Sequence, residues 1–101
     1  MDIQKLITMG RLEKDVTYDG VIFHLVTPSS EELSKVSDNV DMLAVFITKI
    51  GDKEFSKPED KDGLKAALKT MQGVLVGNLV KKVGELVDQQ SKLIEGMSKK
   101  S

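Results

Sequence analysis

The hydrophobic period changes twice within the first third of the chain. Three apolar side chains lie on one side of a short N-terminal segment, which predicts a helix within residues 1–10. Apolar and polar residues then alternate, as in a strand with one buried face. Asp19-Gly20 follows and suits a two-residue turn, because both central residues of that turn need positive φ. With the return segment VIFHLV, the pattern predicts a β-hairpin over residues 11–27.

A helical period replaces the alternation after the hairpin. Ser29 and Glu32 fit a capping box, in which each side chain satisfies the other residue's backbone amide. Apolar residues then recur at alternating spacings of three and four, which predicts one amphipathic helix over residues 29–51. The stripe of this helix consists of Leu33, Val36, Val40, Leu43, Ile47 and Ile50.

The rest of the chain predicts a charged loop over residues 52–60 and C-terminal helices over residues 61–97, with a break at Gly73. The near-heptad rhythm of the last segment favours helix-to-helix packing. Gly77 and Gly84 lie one heptad apart, and each weakens a helix by about 0.5–1 kcal/mol relative to Ala. Close approach of another backbone, or tolerated flexibility, is expected to accompany them.

These elements predict a single α+β domain over residues 1–101, with one antiparallel β-hairpin packed on a predominantly helical domain. A domain of 101 residues buries only about 60–70% of the surface that its unfolded chain exposes. Aromatic residues make up 4% of the chain, so Leu, Val and Ile must build most of the core. A small core of this kind gains stability by association, and we expect a homo-oligomer or an obligate protein partner.

Apolar residues cover more than one face of the last predicted helix. Such a patch can receive a partner helix or form an oligomer seam. The alternative is that the hairpin and the long helix cover it within one chain. The predicted partner-binding or oligomer surface consists of Leu75, Leu79, Val80, Val83, Leu86 and Val87.

Charge and composition exclude several classes of partner. Positive and negative residues are interleaved at a net charge of −1, so no basic patch favours nucleic acid. Lys81-Lys82 fits a solvated helix face, and Lys99-Lys100 fits a helix C-terminus. No segment approaches the roughly 20 apolar residues that cross a bilayer. The chain contains no cysteine, which favours a reducing, cytoplasmic location.

Candidate chemistry is sparse. His24 is the only histidine, and the nearby hydroxyls of Ser29 and Ser30 are better explained as helix caps than as nucleophiles. A structural or interface role is therefore expected for His24. Lysines and a proline interrupt the acidic run of residues 51–63, which does not fit a calcium loop. The sequence predicts no catalytic residue, no metal and no cofactor.

The order of elements resembles a known family. The hairpin reads VTYDGVIFHLVTP over residues 16–28, a capped helix follows, and IGDKEF forms a turn over residues 50–55 before further helices. This layout is similar to that of the small tail assembly chaperones of long-tailed bacteriophages. The resemblance implies a non-enzymatic protein that binds the helical tape-measure protein and recruits tail-tube subunits. It also implies a homo-oligomer in the host cytoplasm.

Two other classes fit the same residues. One is a permanent structural subunit of a phage tail or baseplate, which would remain in the virion. The other is a small cellular homo-oligomeric interaction module. Retention in purified particles distinguishes a structural subunit from a chaperone. A gene neighbourhood without phage genes would indicate the cellular interaction module.

Overall fold

The computed structural model describes residues 2–98, so Lys99 and Lys100 lie outside the described residues. Its strands form one antiparallel sheet in the order β1-β2-β3-β4, and the prediction of an α+β fold is confirmed. In chain order the elements are α1 (Ile3–Thr8), β1 (Glu13–Tyr18), β2 (Val21–Val26), α2 (Ser30–Ser34), α3 (Asn39–Phe46), β3 (Ile47–Ile50), β4 (Lys53–Glu54), α4 (Pro58–Thr70) and α5 (Gly73–Ser98).

The predicted hairpin is present as β1 and β2. Tyr18 pairs with Val21, and Asp19 and Gly20 between them have φ of 51° and 78°, as the Asp-Gly pair predicts. At the open end, the backbone amide of Thr27 donates to the carbonyl of residue 12 over 3.0 Å. The hairpin is therefore closed by hydrogen bonds at both ends.

The single helix predicted over residues 29–51 is wrong. The Ser29–Glu32 capping box does open α2, but this helix ends at Ser34. Asp38 then caps a second helix, because its Oδ1 accepts a hydrogen bond from the Asp41 amide over 2.8 Å. Short polar side chains of this kind favour a cap over continuation of a helix. The apolar stripe therefore spans two helices with a break between them.

The last residues of the predicted helix, Ile47–Ile50, form a strand, and the predicted lone hairpin is part of a four-stranded sheet. After Phe46 the chain becomes extended and forms β3, whose Ile50 pairs with Phe23 of β2. Gly51, at φ 58°, opens a tight turn to β4. The predicted loop over residues 52–60 therefore contributes a short strand and the first turn of α4.

A half-buried lysine holds the junction between α3 and β3. Lys61 of α4 donates a hydrogen bond from Nζ to the Ile47 carbonyl over 2.7 Å. Burial lowers the pKa of the Lys61 amine. The bond satisfies a carbonyl at the point where the chain changes from helix to strand, where no helical partner exists.

The core lies on one face of the sheet. The helices α3 and α5 contact the sheet, and α4 packs on α3. Within residues 2–98, no helix combines the length and apolar character needed to span a membrane. The largest fully buried side chains are Phe46, Leu25, Leu43, Ile47, Leu64, Leu68, Leu79, Leu86 and Val83.

Candidate protein-binding surface

One apolar stripe runs along most of α5 and changes its environment halfway. Its first three members, Leu79, Val83 and Leu86, are at most 1% exposed and belong to the core. Its last two apolar members, Leu93 and Met97, keep the same spacing of three and four residues but are 39% and 40% exposed. The stripe therefore continues beyond the part of the domain that covers it. Its members are Leu79, Val83, Leu86, Gln90, Leu93 and Met97.

This arrangement corrects the partner surface predicted on α5. Leu79, Val83 and Leu86 are buried in the chain's own core, where the sheet and α3 cover them. Leu75 and Val80 are half-buried, and Val87 is 41% exposed. A contact of these last three with a partner stays a prediction. The larger uncovered apolar surface lies elsewhere, at the C-terminal end of α5.

The N-terminal helix α1 contributes the other half of that surface. Ile3, Leu6 and Ile7 lie on it at helical spacing, and Met9 follows at its C-terminus. All four are between 49% and 68% exposed, and no residue of α1 is buried. A helix of two turns is marginal in water without packing. The apolar side of α1 is therefore a surface that a partner can stabilise.

The two apolar segments meet at Gly10. This glycine is buried, and a Cβ added to it would lie 3.2 Å from the side chain of Ile94. Gln90 donates a hydrogen bond from Nε2 to the Gly10 carbonyl over 3.1 Å. These contacts hold the N-terminal segment against the last turns of α5. We call the combined surface the apolar end; it consists of Ile3, Leu6, Ile7, Met9, Leu93, Ile94 and Met97.

A groove of about 280 Å³ lies beside the apolar end. Ile7 and Met9 line it on one side, and Val26 and Val45 are further apolar lining residues. Arg11 also lines the groove; it is exposed and makes no ion pair with any residue in the 2–98 range. The groove thus combines apolar walls with one available guanidinium, which is a common composition for a protein-binding site.

A polar cluster lies on the outer face of the sheet, around His24, for which the sequence predicts a structural or interface role. His24 Nδ1 lies 2.5 Å from Asp15 Oδ1, and Nε2 lies 3.0 Å from Glu13 Oε1. The hydrogen bond with Asp15, supported by Glu13, raises the pKa of His24 above 6.5, although partial burial opposes this. Both ring nitrogens can donate only when the imidazole is protonated. The cluster therefore favours the imidazolium.

The surroundings of His24 fit an ion-pair cluster better than a catalytic site. Each ring nitrogen faces its own carboxylate, and within residues 2–98 no hydroxyl group hydrogen-bonds to the ring. Ser29 and Ser30 lie at the start of α2, where Ser29 caps the helix as predicted. Among the described residues no group of three potential metal ligands converges. The two carboxylates bind opposite edges of the imidazole and do not point to one common position.

Comparisons of the chain with protein-family models, with curated proteins and with solved structures find no match. The features of the chain that bear on its function are the apolar end, its groove and the layout of the elements.

Proposed function

We propose that this chain is a non-enzymatic assembly chaperone or adaptor of the phage-tail type, which binds the helical tape-measure protein and helps to recruit tail-tube subunits. The observation that supports the proposal is the apolar end. Seven large apolar side chains there keep between 39% and 68% of their surface exposed. A group of exposed apolar side chains at one end of a small protein is typical of a protein-binding site.

The shape of the apolar end fits a helical client. An amphipathic helix docks by placing apolar residues of one face into an apolar groove. The apolar end offers side chains from two helices, and the groove beside it accepts a residue between α1 and the sheet. Each square ångström of apolar surface removed from water contributes about 25 cal/mol. A client that aggregates through an apolar stripe would therefore be protected while that stripe is bound.

Self-association is proposed through the same surface. Three of the six residues of the predicted seam on α5 are core, so a homo-oligomer that leaves this fold intact cannot be held together by Leu79, Val83 and Leu86. The apolar end is the largest set available among residues 2–98. A second copy and a client would then compete, and client binding is expected to reduce self-association.

Co-expression with a client tests the proposal. The client is a long helical tape-measure protein, which the proposal expects to be encoded beside this chain, and the readout is the fraction of client that remains in solution. The double variant Ile7→Asp/Ile94→Asp should lose the protective effect, because it places two charges in the apolar end. Val74→Asp is the matched control, because Val74 is 81% exposed. It lies about 30 Å from Ile94 along the axis of α5. Equal protection by both variants would contradict the proposal.

Mass spectrometry of mature virions separates a chaperone from a structural subunit. A chaperone should be lost when the tail is complete, so purified particles should lack this chain. Stoichiometric retention in the particles would instead favour the permanent tail or baseplate subunit. The absence of a neighbouring gene for a long helical protein would argue against both phage roles.

A further inference from the structure

The groove beside the apolar end is lined by one arginine and one glutamate, and these two side chains do not pair with each other. Arg11 lines the groove and forms no ion pair with the described residues. Glu32 also lines the groove, but its Oε1 accepts hydrogen bonds from the Ser29 amide and hydroxyl over 3.0 and 3.1 Å. The only carboxylate among the groove's lining residues keeps its charge, but its Oε1 is held by the cap of α2 and it forms no ion pair with Arg11.

Other acidic residues near the apolar end are also committed or face away. Asp2 accepts a hydrogen bond from the Gln4 amide and caps α1. Asp88 pairs with Lys92 over 3.2 Å on α5. Glu95 lies two positions after Leu93, so it projects from a different side of the helix than the stripe does. The Arg11 guanidinium is thus available to a partner.

We infer that the groove selects an acidic amphipathic helix, which places apolar side chains on the apolar end and a carboxylate on Arg11. This inference rests on the proposed function, since it specifies the client of the same surface. Arginine is suited to this role because its planar guanidinium binds a carboxylate through two parallel hydrogen bonds. The apolar stripe would provide most of the affinity, and the ion pair would select the client and its direction.

Three fluorescent helical peptides test the inference. They share one apolar stripe and differ only in one flanking position, which carries Glu, Gln or Lys. Fluorescence anisotropy at moderate salt should give the Glu peptide an affinity about tenfold higher than the Gln peptide, in line with a charge-assisted hydrogen bond. The Lys peptide should bind more weakly than both.

Variants of Arg11 connect the preference to this residue. Arg11→Gln should remove the preference for Glu, and Arg11→Glu should reverse it in favour of Lys. Lys49→Gln is the control, since Lys49 is a cation on the outer sheet face opposite His24. It should leave all three affinities unchanged. Circular dichroism of each variant checks that the fold is retained, and the exposed position of Arg11 favours this.

The outcomes separate this inference from the proposed function. Equal affinity for the three peptides overturns the inference and leaves a helix-binding chaperone in place. Binding to none of them, together with failed protection of the client, overturns both. If the chain dimerises through the groove and the peptides do not compete with the dimer, a second copy is the occupant and the inference is wrong.

Discussion

Gln90 donates a hydrogen bond to the backbone carbonyl of Gly10 over 3.1 Å, which joins two residues 80 positions apart in the chain. Ile94, one helical turn further along α5, packs against the same glycine. These two contacts attach the N-terminal segment to α5. Because α1 itself has no buried residue, its position depends on this attachment.

Gly10→Ala should detach the N-terminal segment. Gly10 has φ of 80°, and an added Cβ would meet Ile94 at 3.2 Å. Left-handed backbone costs a non-glycine residue about 1–2 kcal/mol, and the contact adds to this. Amide exchange of residues 3–8 should therefore accelerate. Gly63→Ala, in a helix with open space around the added Cβ, should not change this exchange. Unchanged protection in Gly10→Ala would show that α1 does not depend on the junction.

Leu79→Ala should destabilise the fold, in contrast to the behaviour of an interface residue. Leu79 is 0% exposed, and truncation of a buried leucine costs about 2–5 kcal/mol. Val87→Ala, at an exposed position of the same helix, should cost about 0.5 kcal/mol or less. Urea denaturation of the two variants gives the comparison. If Leu79→Ala unfolds with the wild-type midpoint but changes the sedimentation coefficient, Leu79 is a contact between copies.

The His24 cluster should make stability depend on pH. The folded-state pKa of His24 is raised above 6.5, so its stabilising effect is fully present below the unfolded pKa of 6.5 and is lost as pH rises through the folded pKa. Lys49 faces the cluster from β3, where it lies opposite His24 in the strand register. The effect should stay below about 1 kcal/mol, because solvent screens exposed ion pairs.

Urea denaturation between about pH 5.5 and pH 8.5 measures this effect. The difference in unfolding free energy between the wild type and His24→Gln should shrink toward the alkaline end. A difference that grows with pH would show that the neutral imidazole is the stabilising form.

Gly77→Ala and Gly84→Ala should each stabilise the protein by about 0.5–1 kcal/mol. Apart from the neighbouring residues and backbone of α5 itself, no atom of the described residues lies within 4 Å of a Cβ added at either position, so neither glycine allows another element to approach closely. Thermal denaturation measures the gain, and client co-expression shows whether function is kept. A stabilised variant that no longer protects its client would indicate that this face of α5 is a second contact surface.

The sequence predicts the hairpin well because its signals are local. Asp19-Gly20 requires a tight turn, and the alternation on both sides assigns the strands. The stripe from Leu33 to Ile50 led to the wrong prediction of one continuous helix. Apolar residues at that spacing also fit two helices with a break between them, followed by a strand. Two local signals oppose the single helix: the capping pair Ser37-Asp38, and a β-branched segment before Gly51.

The candidate surface was only partly predictable for a different reason. The stripe on α5 is continuous in the sequence, and nothing in its spacing shows where the sheet stops covering it. That limit depends on how far β1 and α3 extend along α5, which is a property of the folded chain. The apolar side of α1 was visible in the sequence, but its contact with Ile94 was not, because it joins the two ends of the chain.

The most direct test of the apolar end is the isoleucine-methyl NMR spectrum with and without the Glu-bearing helical peptide. The chain has six isoleucines that sample distinct environments. The methyl signals of Ile3, Ile7 and Ile94 should shift on binding, while those of the core residue Ile47 and of Ile22 on the outer sheet face should not. Shifts at Ile22 with no change at Ile3, Ile7 and Ile94 would contradict the account and place the binding surface on the sheet.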